Sequence, residues 1–163
     1  MADVHFVNRR FDPDVIGFHT IAKDMAAAVG YTATLSVDRG LAQLLRLRVA
    51  QLTPCSYCLI LHTEAARDVG LAPEKIAHLP SWRESTMFRE DEVAALAYTE
   101  ALTLFDQAAF PTCHEELARF FDETAIAEIA AVVINMNVWT RLKLAQGAVP
   151  VTDDTTTADG SRS

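Results

Sequence analysis

The chain has 163 residues, half of them apolar, and a formal net charge of -8. That length and composition fit one ordinary globular domain with a core large enough to need no staples. The acidity makes nucleic acid and anionic membrane surfaces poor partners. Three cysteines, Cys55, Cys58 and Cys113, do not make a secreted disulfide framework. An odd count with one close pair predicts a reducing, cytoplasmic setting. The stretch MADVHFVNRR has no apolar run behind its charges, so no signal peptide is expected.

The punctuation of the sequence predicts an all-α fold. Asp12-Pro13 fits an N-cap followed by proline at the first helical position, and Gly30 fits the end of that helix. A second helix is expected from about Val37 to Leu52, with LAQLLRLRVAQL as its body. Thr53-Pro54 then breaks it and starts a third, which Gly70 closes. Pro73 opens a short helix. Arg89 to Phe105 reads as amphipathic, with Val93, Leu96, Ala97 and Leu104 on one side. Thr112 is placed to cap a short helix holding Glu115 to Phe121, and a last helix runs from about Thr124 to Gln146.

Ala125 to Leu144 is the most apolar stretch. Glu128, Asn135, Asn137, Arg141 and Lys143 interrupt it, which predicts a buried helix and no membrane span. Its first part, Ala125 to Ile134, is apolar almost all round. One small domain struggles to bury such a helix, so a homo-oligomer is expected. No segment alternates with period two and no repeat is present. Residues 1–149 are expected to form the helical domain. Residues 150–163, rich in Thr, Asp, Ser and Gly, are expected to be a disordered tail.

The chemistry concentrates in Thr53-Pro54-Cys55-Ser56-Tyr57-Cys58-Leu59-Ile60-Leu61-His62. With Thr53 as N-cap, Cys55 falls at the second helical position and Cys58 at the fifth. The unpaired N–H groups and the helix dipole there favour a thiolate. A spacing of three puts the two sulfurs on one face, with Cα atoms roughly 5–6 Å apart, within reach of a disulfide. His62 lies one turn beyond Cys58 and can take or deliver the thiol proton, or pair with the thiolate as an imidazolium. Cys58 is therefore the candidate for attack and Cys55 for resolution.

Two other readings stand beside this one. Cys55, Cys58 and His62 could bind zinc, with Cys113 or His114 as a fourth ligand, although three ligands on one helical face suit a tetrahedron poorly. The cysteines could also be inert and buried beside a core histidine. Tyr57 could donate a hydrogen bond near the site or simply pack. Cys113 reads as a structural thiol. His5, His19 and His78 read as surface or packing residues, and Trp82 and Trp139 as core or interface residues. No nucleotide fingerprint is present, and no cofactor is expected.

The segments Leu45 to Leu52, Cys55-Ser56-Tyr57-Cys58 and His62-Thr63-Glu64-Ala65-Ala66 resemble the AhpD-like alkylhydroperoxidase family, within the carboxymuconolactone decarboxylase superfamily. The resemblance continues through Leu79, Trp82-Arg83-Glu84, Phe88, Glu92 to Ala97, Glu100 to Thr103 and Asn137 to Leu142, and covers roughly residues 12–146. It implies an all-α fold assembling into trimers or hexamers, and a peroxidase role in antioxidant defence. It implies Cys58 as the peroxidatic cysteine, Cys55 as its partner and His62 in the proton relay.

The family's relay glutamate, twelve residues before the first cysteine, is Gln43 here. An amide orients an imidazole but exchanges no proton at neutral pH. Glu100, in an otherwise apolar helix, is a candidate replacement. The family's Asn-Gly before the first cysteine is Thr53-Pro54, and its Trp-Asn-Arg is Trp139-Thr140-Arg141. The function expected is a thiol-dependent peroxidase. Its partners would be a small peroxide and a thiol reductant: a lipoyl protein, a thioredoxin-like protein or a low-molecular-weight thiol. A carboxymuconolactone-decarboxylase-type enzyme and a non-enzymatic redox-sensing oligomer are the alternatives.

Overall fold

The structure, a computed structural model, describes residues 3–15, 17–30 and 33–152. The described residues form seven α-helices and two short strands. The strand β1 (Val4–Asn8) leads through a 3-10 turn (Pro13–Val15) to α1 (Gly17–Val29). The helices α2 (Arg39–Leu52), α3 (Ser56–Asp68) and α4 (Pro73–Ala77) follow, then a 3-10 segment (Leu79–Glu84). Next come α5 (Glu90–Leu104), α6 (Phe110–Leu117), α7 (Glu123–Gln146) and the strand β2 (Ala148–Thr152).

The helix α2 is the axis of the domain. Asp38 caps it by accepting from the Leu41 amide at 2.9 Å. Leu41, Leu44, Leu45, Leu47 and Val49 are all essentially inaccessible. This helix packs on α3, α5 and α7, so its apolar residues are spent on several neighbours at once. The main core gathers them with Leu79, Trp82, Leu96, Leu117 and Ile129. A smaller cluster, Val49, Ala50, Val133 and Met136, encloses Cys55 and Cys58. The helix α7 runs across α1, α2 and α5 and is capped by Asp122. Its Glu128 reaches back to take the amides of Ser36 and Val37, fixing the entry to α2.

Several expectations need correction. Asp12-Pro13 opens the 3-10 turn, and α1 starts only at Gly17. The α5 face is different from the one expected: Ala94, Ala95, Leu96, Tyr98 and Thr99 are buried, whereas Val93 and Leu104 are exposed. The reason is that α2, α6 and α7 all pack against α5, which widens the buried arc. The helix α6 begins at Phe110, with Pro111 in its first turn, ahead of Thr112.

The all-α pattern also missed a small antiparallel sheet. β1 pairs with β2 so that Val4 faces Thr152 and Asn8 faces Ala148. Pro150 to Thr152, expected in the tail, therefore belong to the fold. The rest of that tail, 153–163, lies outside the described residues. Gly147 makes the turn into β2. Its φ of +71° and the Arg9 Cβ and Arg10 Cγ atoms 3.3 and 3.1 Å from where a Cβ would sit both call for glycine.

Candidate active site

The start of α3 differs from the expectation by two positions, and the difference matters. The Thr53 hydroxyl is spent on α2, donating to the Val49 carbonyl at 2.7 Å. Cys55 itself becomes the N-cap of α3, in extended backbone, and its Sγ accepts the Cys58 amide at 3.3 Å. A sulfur thus does the work usually done by a serine or aspartate oxygen, and this work favours its ionised form. Both cysteines are buried and reduced.

The two thiols titrate as a pair, and the first proton leaves Cys55. A hydrogen bond from the Cys58 thiol brings Cys55 down to about 7. Burial works against this, while the Cys58 amide and the Lys143 ammonium assist. The Cys58 thiol is pushed up, because it donates to Cys55, is buried, and would face a second negative charge if ionised. The acidity expected at Cys58 therefore rests on Cys55.

His62 lies on α3 with Cys58, and both line one cavity of about 310 Å³. Its Nδ1 is 3.1 Å from Gln43 Oε1. A carbonyl oxygen only accepts, so Nδ1 carries the proton and the basic lone pair is at Nε2. Burial, and then the nearby charge of Arg46, lower His62 to about 4. It is a neutral imidazole near pH 7, which removes the imidazolium option. Gln43 thus orients the ring without charging it.

Glu100 is elsewhere. Its carboxylate takes the Arg48 guanidinium (Nε and Nη2, both 2.7 Å), the Trp82 indole N–H (2.7 Å) and Arg83. Burial alone would raise its pKa, but hydrogen bonds from Trp82, Arg83 and Arg48 hold it below the usual carboxylate range. It does not line the cavity. Tyr57 does, with its ring tilted on Phe6 at 4.6 Å and the Lys143 ammonium over its face at 4.2 Å. Cys113 and His114 lie on α6, away from the other candidate ligands. Among the described residues no group of three His, Cys, Asp or Glu is arranged to hold a metal.

The cavity also holds residues that the sequence did not single out: His19, Lys23, Arg46, Asn135, Trp139 and Lys143. Asn135, Trp139 and Lys143 recur every four residues in an apolar helix, a signal that was available in the sequence. Arg46 is buried and forms no ion pair among the described residues. Its Nη2 donates to the carbonyls of Val29 (3.2 Å) and Gly30 (2.8 Å), at the negative end of α1. Burial lowers it to about 10, so it stays charged. Arg46 Nε, Asn135 Oδ1 and His19 Nε2 find no hydrogen-bond partner among the described residues, nor does Thr99 Oγ1 on α5, outside the cavity.

The fold and this dithiol at a helix cap define a class: a helical-bundle protein with a reduced CxxC and a neighbouring imidazole. The carboxymuconolactone decarboxylase family matches residues 21–101, about half of the chain. The chain is 29% identical over 118 residues to the uncharacterized protein YdfG of Bacillus subtilis, covering 72% of this chain and 80% of YdfG. Its fold matches a putative antioxidant defence protein AhpD from Agrobacterium tumefaciens, with a TM-score of 0.74 at 23% identity over 80% of this chain and 88% of that one. It also matches the debrominase Bmp8, solved with 2,3,4-tribromopyrrole, with a TM-score of 0.71 at 20% identity over 85% and 71% of the two chains. Over residues 21–101 the protein matches the carboxymuconolactone decarboxylase family, and its fold is the AhpD-like one.

Proposed function

We propose that the protein is a thiol peroxidase working by a Cys55–Cys58 dithiol/disulfide cycle. The observation that carries this is the N-cap thiol pair, with one sulfur in the same cavity as an oriented neutral histidine. In the resting dithiol the negative charge sits on Cys55. When a peroxide enters the cavity, the Cys58 proton passes to Cys55, or transiently to His62 Nε2. The Cys58 thiolate then attacks one peroxide oxygen. The O–O bond breaks, the leaving oxygen takes a proton, and Cys58 becomes a sulfenic acid. Cys55 attacks that sulfur, water leaves, and the disulfide forms. An external dithiol or two thiols return the two electrons. Lys143 holds a positive charge near both sulfurs throughout, and burial in turn lowers its own pKa.

The test is peroxide consumption with a dithiol reductant. Cys58→Ser is expected to lose at least about a thousandfold, the scale on which removing a nucleophile is felt. A wild type no faster than Cys58→Ser would end the peroxidase reading. Turnover of a lactone acid by a Cys55→Ser, Cys58→Ser double variant would move the protein to the decarboxylase side of its family.

The same reading includes self-assembly in a cytoplasmic setting. Ile134 and Leu144 on α7 and Ile21 on α1 remain 51%, 71% and 63% exposed, which is costly for a lone subunit. Sedimentation at micromolar concentration is expected to show a trimer or hexamer, and a monomer would contradict the proposal.

A further inference from the structure

Cys55 and Cys58 open on different cavities. Cys58 lines the one with His62; Cys55 lines a second cleft of about 380 Å³ between the start of α3, the end of α7 and the two strands. Its walls carry Arg9, Arg10 and Lys143, with the Thr53 and Thr140 side of α2 and α7 behind them. No carboxylate lines this cleft among the described residues, in a chain whose formal net charge is -8. The concentration of cations is local and built. The Arg10 Nη1 donates to the Leu144 carbonyl at 2.7 Å. The Arg9 and Arg10 amides are pinned to Gly147 and Gln146 at 3.0 and 3.2 Å. The positive end of α3 points the same way.

We propose that this second cleft binds the reductant, a low-molecular-weight thiol bearing a carboxylate. The inference rests on the dithiol cycle proposed above. The volume falls in the range of small-molecule sites, about 300–1,000 Å³. Arg9, Arg10 and Lys143 offer a carboxylate charged donors in the same cleft as the Cys55 sulfur. The reductant's thiolate attacks Cys55 Sγ, the Cys55–Cys58 bond breaks, and Cys58 leaves as a thiolate that takes a proton. A second reductant thiolate then attacks the reductant sulfur of the mixed disulfide. This releases Cys55 as a thiolate and one reductant disulfide. Two thiols are oxidised and one protein disulfide is reduced. Peroxide and reductant thus reach the pair through different cavities, which share Lys143 as a wall.

The test separates this site from the peroxide chemistry. The full chain is oxidised with diamide, and the disulfide is confirmed by mass. Its reduction is then timed with 3-mercaptopropionate, 2-mercaptoethanol and cysteamine. Rates are corrected for thiolate fraction and nucleophilicity. The expected order is anionic, neutral, cationic, with about tenfold between the extremes, shrinking in high salt. Arg9→Glu should abolish or invert that order, while Arg119→Glu, which lines neither cavity, should leave it intact. Equal corrected rates for the three thiols, or an order untouched by Arg9→Glu, would overturn the proposal. If peroxide fails to oxidise the protein but the diamide-formed disulfide shows the charge order, the peroxidase reading falls and the reductant site stands.

Discussion

Two buried polar groups hang from the same helix, and they are finished in opposite ways. On one side of α2, Arg48 meets Glu100, whose two oxygens are filled by Arg48, Trp82 and Arg83. On the other, Gln43 and Arg46 face His62, and around them Arg46 Nε, Asn135 Oδ1 and His19 Nε2 are left unmatched. A saturated buried network behaves as structure. Unmatched buried polar atoms beside a cavity are a cost the fold carries for chemistry. Thr99 Oγ1, unmatched on α5, is an isolated exception; the site is marked by three such atoms gathered at one cavity, beside a helix that also carries the saturated network.

The largest expected effect lies on the saturated side. Glu100→Ala leaves the half-buried Arg48 with Gln51 Oε1 as an acceptor but no counter-charge, strands the Trp82 indole N–H, and should cost about 3–5 kcal/mol in urea unfolding. The exposed Arg83 contributes little of this. Thiol reactivity should be unchanged. A shift in the Cys55 titration comparable with the stability loss would break the division between the two groups.

The next effect is a pH dependence on the unsaturated side. His62 is held near 4 in the fold against an ordinary 6.5. The unfolded chain therefore takes up a proton, as pH falls below 6.5, that the folded chain refuses. Stability from this group is full above 6.5 and is lost as pH falls towards 4, by about 3 kcal/mol in all. Unfolding curves for wild type and His62→Gln should converge in that window, and parallel curves would mean that the imidazole is not held neutral.

A smaller change sharpens the comparison. Gln43→Glu places a carboxylate where Oε1 now accepts from Nδ1 and should raise His62 by about one to two units. An imidazole titration by NMR would show this, with the acid limb of peroxide turnover moving alongside it. A titration that did not move would mean that position 43 is not coupled to the ring.

The helices were legible in the sequence because their ends are written in local chemistry. Gly70 and Pro73, read as punctuation, act within a turn of where they stand; Asp38, Asp122 and Gly147, which were not read, do the same. The start of α3 was misplaced because Thr53 had two possible employers, and the preceding helix took its hydroxyl. That choice turned Cys55 from a first-turn residue into the cap. The strands were hidden because each is only five residues long, one carries Pro150, and each is stable only against a partner at the far end of the chain.

Within the site, Cys55, Cys58 and His62 could be read from spacing on one helix, and Gln43 from resemblance. Glu100 could not be told from a relay residue, because its partners come from the preceding segment and from α2. Arg46 was visible as a charge inside an apolar run, but nothing local says that it ends up beside the ring of His62.

The pairing of Val4 with Thr152 brings both flanks of the helical body out at one place, and Gly147, at the root of that ribbon, borders the Cys55 cleft. A donor dye at position 4 and an acceptor at position 152 would therefore begin almost in contact and separate only if the ribbon peels. The ribbon is thus a ruler fixed beside the sulfur, able to report in real time whether exchanging a thiol at Cys55 also loosens the chain around it.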